Sequence, residues 1–292
     1  MANIMLLANL NCDRVLALEE PLQAGGRHHY RDLGRRLGGG GANTGLGLVW
    51  AGHHVALVSQ IGRDETADWL LAEASLQGLN CGLLHRNDIV TPELMLLMTP
   101  DGERTIIRPE RPRFVLGKVP ALSQWDALYI NTNAEGVESW AQAAVKDSQH
   151  ALLVVAQLPK GDEHRPCHVL ITSKSDLTAH RERGYQTDSD CSVWEYGVSV
   201  AGPSLRYFIV TDGENGAIAY SQDDSVFVSA VNTDVVDTTG AGDAFAAGVI
   251  HGLLSDKPID EAMQDGAKWA SFAVATSSSI PGGAFKAYIQ EQ

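Results

Sequence analysis

Short apolar runs recur along the chain with longer stretches of helical periodicity between them. The runs at 4–8, 55–61, 127–130, 152–156, 169–172, 207–211, 217–220 and 226–229 have the length and the aliphatic content of strands. Apolar positions three and four apart predict helices over 42–50, 65–77, 137–146, 241–254 and 259–275. Strands alternating with helices are the sequence form of an α/β domain, in which helices wrap a mostly parallel sheet. No repeat and no low-complexity linker divides the chain.

Two segments break the alternation. Residues 12–37 are polar and rich in Arg and His, and residues 88–114 hold the run Leu94-Met95-Leu96-Leu97-Met98, a Pro100-Asp101-Gly102 turn and Arg104-Thr105-Ile106-Ile107. A turn between two short apolar runs predicts a β-hairpin. Together the two segments predict a small sheet projecting from the main body as a lid. The run 94–98 is hard to bury in an isolated hairpin, so lids from two subunits are expected to pack as a homodimer. The polar patch 181–190 reads as a surface excursion.

At 292 residues the chain suffices for one large domain. With 36 acidic and 22 basic residues the net charge is −14, which argues against nucleic acid and anionic membrane as partners, since both need clustered Lys and Arg. Anionic small molecules stay open, because a few N–H groups bind phosphate locally. The four cysteines show no CxxC spacing, the first residues read as a strand, and no apolar run reaches ~18 residues. A cytoplasmic protein with reduced thiols is expected.

The most informative segment is Asp237-Thr238-Thr239-Gly240-Ala241-Gly242-Asp243-Ala244-Phe245. Small residues at 240–242 let backbone approach a ligand, and the helix that follows aims N–H groups and its positive end at one point, as an anion site requires. A carboxylate at Asp243 makes sense there if it takes the proton of a hydroxyl attacking phosphate. On spacing alone the plainer reading stays open, with Asp243 a helix N-terminal acid and the glycines a tight turn. A second glycine run, Gly38-Gly39-Gly40-Gly41-Ala42-Asn43, also opens a helix. It fits neither GxGxxG nor GxxxxGK[ST], so Rossmann dehydrogenases and P-loop enzymes lose support. The pairs His28-His29 and His53-His54 are poor metal ligands, because adjacent residues do not face one way.

In order along the chain, these segments resemble the ribokinase-like sugar kinases of the PfkB family over nearly the whole sequence. Asp237 to Phe245 is similar to the family's C-terminal signature and Gly38 to Asn43 to its N-terminal one, with Ile61-Gly62-Arg63-Asp64 downstream. Asn11-Cys12-Asp13 resembles the N-x-D after the first strand, Asp101 to Ile106 the lid hairpin, and Thr211-Asp212-Gly213-Glu214-Asn215-Gly216 the T-x-G-x-x-G of the nucleotide side.

The resemblance implies one kinase domain over 1–292: a Rossmann-type three-layer sandwich with lid segments at about 12–37 and 88–114. It implies ATP and Mg²⁺ as co-substrates and phosphorylation of a sugar hydroxyl. Carried over, Asp243 resembles the catalytic base, and the backbone of Gly240, Ala241 and Gly242 the hole holding the transferring phosphate. Asn11, Asp13, Gly39, Gly40 and Asn43 fall at sugar-binding positions, and Thr211, Gly213 and Gly216 at nucleotide-binding ones. Asp237 and Thr239 resemble ligands of the monovalent cation, K⁺, that some members use, and Asp176 falls where an acid positions Mg²⁺.

The departures bear on substrate. Gly40 stands where kinases of phosphorylated sugars often carry Lys, Pro159 where ribokinases have a sugar-contacting Glu, and Ser173-Lys174-Ser175-Asp176 where the family has N-x-x-E. A nucleoside kinase of the same fold and a sugar-binding regulator without turnover are the competing readings.

Overall fold

The structure is a computed structural model and describes residues 1–101, 103–146, 152–184, 191–277, 280 and 282–291. Most of the expected surface excursion, 185–190, and Gly102 of the hairpin turn lie outside the described residues.

Eight strands form one sheet in the order β14-β13-β12-β11-β10-β9-β1-β4. The strands β1 (Asn3–Ala8), β4 (His54–Val58), β9 (Ala127–Asn131), β10 (Leu153–Gln157), β11 (Val169–Ser173) and β12 (Tyr207–Thr211) run parallel. The last two, β13 (Ala217–Tyr220) and β14 (Ser225–Val228), close one edge antiparallel. Alternate side chains of the parallel strands enter opposite cores, as the two-residue period requires. From β1, Ile4, Leu6 and Ala8 join one cluster, and Met5 and Leu7 the other.

The first cluster is covered by α1 (Gly39–Trp50), α2 (Glu65–Leu76), α6 (Ala241–Leu254), α7 (Ile259–Val274) and α8 (Gly283–Gln290). The second lies beneath α3 (Val137–Lys146), α4 (Lys174–Glu182) and α5 (Val193–Ala201). This is the expected three-layer sandwich. No helix among the described residues is long and apolar enough to cross a membrane.

One contact fixes the helix that opens at the site. A Cβ on Gly248 of α6 would lie 2.7 Å from the Cα of Gly266 on α7, and one on Gly252 would lie 2.6 Å from the Cα of Ala262. Only glycine lets the two backbones meet this closely.

The lid is a second sheet in the order β3-β2-β7-β8, built from β2 (Asn11–Leu18), β3 (Tyr30–Gly38), β7 (Glu93–Met98) and β8 (Arg104–Ile107). Short strands β5 (Gln60–Ile61) and β6 (His85–Arg86) pair beside it. The lid returns to the body without a loop, since β3 runs straight into α1 at Gly38 and Gly39. It is also tied at Asp64, which caps α2 by accepting from the N–H of Ala67 at 2.8 Å and takes bonds from the N–H and hydroxyl of Thr91 at 2.8 and 2.7 Å. Burial opposes the charge on Asp64, yet the Thr91 and Ala67 bonds hold its carboxyl below the usual range.

The premise for lid dimerisation changes here. Leu94, Leu96 and Leu97 are each at most 8% exposed within a single chain, and Leu97 packs on Leu16 and Leu18. The run therefore needs no second subunit for its burial. Met95 and Ile107 are the large lid side chains near it that stay open, at 41% and 45%.

Candidate active site

Asn131, Gln157, Ser173 and Thr211 are the closing residues of four adjacent parallel strands, β9 to β12. All four line one cavity of about 1130 Å³, together with Asn9, Leu10 and Asn11 before the lid and Gly240, Gly242 and Asp243 at the start of α6. A crevice at the carboxyl ends of parallel strands is where open α/β sheets bind ligands.

Gly240 precedes α6 at φ +76°, a left-handed turn that reverses the chain so that the helix begins at the cavity wall. Asp243 follows in the first turn. Its carboxylate accepts from the amide of Asn43 on α1 and from the amide of Asn131 on β9, both at 3.0 Å. The hydroxyl of Thr44 donates to its backbone carbonyl at 3.2 Å. Burial raises the Asp243 pKa above the ordinary carboxylate range, against the pull of the two amides. Gly40 makes room for this group: a Cβ there would come within 2.5 Å of the Asn131 amide nitrogen and 3.3 Å of Asp243 Oδ1.

Asn11 and Asp13 lie on β2, 6% and 5% exposed, with Asn11 on the cavity wall. Gly39, first residue of α1, packs against Asn11, and Gly38 against the carboxylate of Asp13. Burial pushes the pKa of Asp13 up to about 6, although Arg104 and Arg36 pull the other way. Oδ1 of Asp13 and Oδ1 of Asn43 are buried acceptors without a protein donor. Leaving such atoms unpaired is costly; of the residues expected at sugar positions, Asn11 and Gly40 are on the cavity wall, whereas Asp13, Gly39 and Asn43 are not.

Asp237 and Thr239 differ from expectation. The carboxylate of Asp237 accepts from Nη1 of Arg104 on β8, at 2.8 and 2.7 Å to its two oxygens, and from the N–H and hydroxyl of Thr239 at 2.8 and 2.7 Å. The groups expected to hold a monovalent cation are thus occupied by one another and by a cation of the chain itself. As placed, they do not fit K⁺. Ala241 also departs: its N–H bonds to the carbonyl of Thr238 at 3.3 Å, while Gly240 and Gly242 line the cavity.

On the far side, Thr211 lines the cavity and its hydroxyl donates to the carbonyl of Thr172 at 3.3 Å. Gly213 opens a short 3₁₀ turn over Gly213–Asn215 with open space around it. Gly216 is accounted for by the hairpin itself, at φ +91° with the carbonyl of Val228 2.2 Å from where a Cβ would stand. Asp176, near the start of α4, lines the cavity and pairs with Lys160 at 2.7 Å. No three His, Cys, Asp or Glu side chains converge on a metal position among the described residues. With its ion pair to Lys160 open to water, Asp176 would suit Mg²⁺ that keeps most of its ligands from phosphate and water.

Three residues here went unassigned in the sequence. Asn131 ends an apolar strand as its one amide, which is the signal that would have found it. Arg104 sits in the hairpin motif without a role, and Arg165, 2% exposed on the cavity wall, carries no local signature.

A profile described as pfkB family carbohydrate kinase matches residues 1–283. The chain is 23% identical over 292 residues to a ribokinase of Haemophilus influenzae, covering 95% of each. It is 24% identical over 254 residues to probable fructokinase-2 of Arabidopsis thaliana, covering 77% of this chain and 74% of that one. Among solved structures, ribokinase of Thermotoga maritima matches with a TM-score of 0.80 at 19% identity over 100% of both chains. Ribokinase of Cryptococcus neoformans in complex with ADP matches at 0.76 and 21%, covering 100% of this chain and 99% of that one. These likenesses are of fold.

Proposed function

The chain belongs to the pfkB family of carbohydrate kinases and is a phosphotransferase with an alcohol group as acceptor, and from that premise we propose that it transfers the γ-phosphate of ATP to a hydroxyl of a small carbohydrate, with Asp243 as base. The observation that carries this reading is the half-buried Asp243 carboxylate, fixed between the amides of Asn43 and Asn131 where α6 opens on the cavity.

A carboxylate with a raised pKa is a better proton acceptor than an ordinary one. As the acceptor oxygen bonds to the γ-phosphorus, the bond to the β,γ-bridging oxygen breaks, ADP leaves with that electron pair, and the acceptor proton passes to Asp243. The two amides keep the carboxylate aimed, so little reorganisation accompanies the transfer. Charge on the transferring phosphoryl group meets the backbone of Gly240 and Gly242 and the positive end of α6. Ala241 contributes less, its N–H being shared with Thr238.

The orphaned oxygens of Asp13 and Asn43 accept from sugar hydroxyls, with Asn11, Gly39 and Gly40 shaping the floor. Thr211 and Gly213 face the nucleotide, and Gly216 holds their hairpin in place. When bound, Mg²⁺ neutralises phosphate charge, with Asp176 as its contact from this chain. The lid, joined to α1 through Gly38 and Gly39, excludes water that would otherwise compete as acceptor.

An ADP-release screen over neutral sugars, sugar acids, phosphosugars and nucleosides tests the reading. Turnover with a carbohydrate, lost in Asp243→Asn, is expected. Turnover with nucleosides alone would make the protein a nucleoside kinase, and acceptor binding without ADP release would make it a regulator.

A further inference from the structure

Although the chain carries a net charge of −14, part of its main cavity is basic. The segment after β8 crosses from the lid to the body and is pinned there twice. The amide of Gln60 donates to the carbonyl of Pro112 at 2.8 Å, and the N–H of Glu135 donates to the carbonyl of Phe114 at 2.8 Å. Arg108, Arg111 and Arg113 on this segment all line the cavity. Arg113 is paired, its Nε 2.8 Å from Glu135. Arg108 and Arg111 have no hydrogen bond or ion pair among the described residues. Each instead has the other's charge near it: burial, then the charge of Arg108, lowers the pKa of Arg111.

A fourth guanidinium lines the same cavity. Arg165, between β10 and β11, is 2% exposed and donates to the carbonyl of Thr132 at 2.9 Å and to Oδ1 of Asn133 at 3.0 Å, both neutral acceptors. Its Nε is buried with no acceptor, and burial lowers its pKa to about 10. Of the acids on the wall, Glu135 is taken by Arg113, Asp176 by Lys160 and Asp243 by two amides. Glu138 and Glu163 remain, and the Glu163 charge favours ionised Arg165 without forming an ion pair with it. Arg108 and Arg111 stand exposed at the cavity without a counter-ion, and Arg165 behind them is withdrawn from water, where an unpaired guanidinium is unfavourable unless a ligand supplies the charge.

The residues proposed to face the nucleotide lie in another part of the cavity. The segment is pinned at β5 and just past β9, whereas Thr211 and Ser173 end β12 and β11, three and two strands from β9. At ~4.8 Å per strand, β9 and β12 are roughly 15 Å apart. We propose that the acceptor is a sugar bearing an anionic group, carboxylate or phosphate, held by Arg108 and Arg111 with Arg165 behind them. This rests on the cavity being the acceptor site of the proposed kinase.

Calorimetric titration of the protein, with and without saturating ADP, compares D-gluconate and D-glucose 6-phosphate with D-glucose, and D-ribonate and D-ribose 5-phosphate with D-ribose. At least one anion is expected to bind roughly 10- to 100-fold more tightly than its neutral partner, as charge-assisted hydrogen bonds allow. ADP should leave the gap in place. The gap should close in Arg108→Gln/Arg111→Gln and largely return in Arg108→Lys/Arg111→Lys, a charge rescue that a folding defect would not give. If no anion outbinds its neutral partner, or if the gap survives loss of both arginines, the proposal is overturned. Preference for carboxylate over phosphate, or the reverse, identifies the group. ADP release is measured separately: a preferred anion bound but never phosphorylated would sink the kinase reading and leave the anion site standing.

Discussion

Nη1 of Arg104 lies 2.8 Å from one carboxylate oxygen of Asp237 and 2.7 Å from the other, joining the outermost lid strand to the loop that leads into α6. Both side chains are largely withdrawn from water, at 18% and 13% exposure, so the pair is screened less than a surface ion pair. In this arrangement the lid is latched to the start of α6 beside the cavity.

The latch implies indifference to the choice of alkali cation. Wild-type turnover is expected to be the same in KCl and NaCl, because Arg104 and Thr239 already satisfy Asp237. Arg104→Ala should raise the acceptor KM several-fold and make the rate respond to K⁺. Stimulation of the wild type by K⁺ over Na⁺ would show that the arginine leaves Asp237 during turnover.

Asp243→Asn should lower kcat by ~10²- to 10⁴-fold, the usual contribution of a general base, with acceptor and nucleotide binding retained by calorimetry. Since burial raises the Asp243 pKa and a base must be ionised to act, activity should fall on acidification at a higher pH than an ordinary carboxylate would give. An unshifted acid limb would contradict this assignment.

Asp13 carries a stability signature of its own. Its folded pKa of about 6 exceeds the ordinary 3.8, so the folded state binds more protons than the unfolded one between those values, and stability falls as pH rises through that window. The gap corresponds to roughly 3 kcal/mol of destabilisation at neutral pH. Asp13→Asn should therefore melt higher than wild type at pH near 8 and lose that advantage at a pH of about 4. Asp13→Ala should raise the acceptor KM at least tenfold and leave the KM for ATP unchanged. Equal damage to both would indicate misfolding.

A homodimer through the lid has Met95 and Ile107 to use, beside Tyr30 and Leu33 on β3, since Leu94, Leu96 and Leu97 are already covered. Light scattering at micromolar concentration is expected to give twice 31.3 kDa for wild type and the single mass for Met95→Ser/Ile107→Ser. A monomeric wild type would show that the lid works alone.

The central sheet was legible because its strands are buried on both faces and read as unbroken apolar runs. Some of the elements missed bury little, although α5 and β2 were missed while burying Tyr196, Val200 and Ala201, and most of Asn11–Leu18. In α4 only Leu177 and His180 are buried, in α8 only Phe285, and β3 is exposed until its last two residues. Such segments are held by backbone pairing or by one anchoring side chain, and neither leaves a periodicity. Within the site, Asp243 and Asn43 were legible because each sits in a glycine-rich segment whose geometry is local. Asn131 and Arg104 act on partners 112 and 133 residues away; an amide closing an apolar strand marks Asn131, but nothing beside Arg104 announces its partner.

The glycine contact between α6 and α7 has an evolutionary consequence. A side chain at Gly248 or Gly266 would push α6 off its seat and carry Asp243 with it, and a displacement near 1 Å can lower a rate by ~10²-fold. Positions that never meet a substrate thus share the selective constraint on the carboxylate, whereas exposed lid side chains such as Met95 and Ile107 stand outside it. Divergence has room in the lid and almost none along the helix, so lineages built on this chain can change what they phosphorylate far more readily than how they do it.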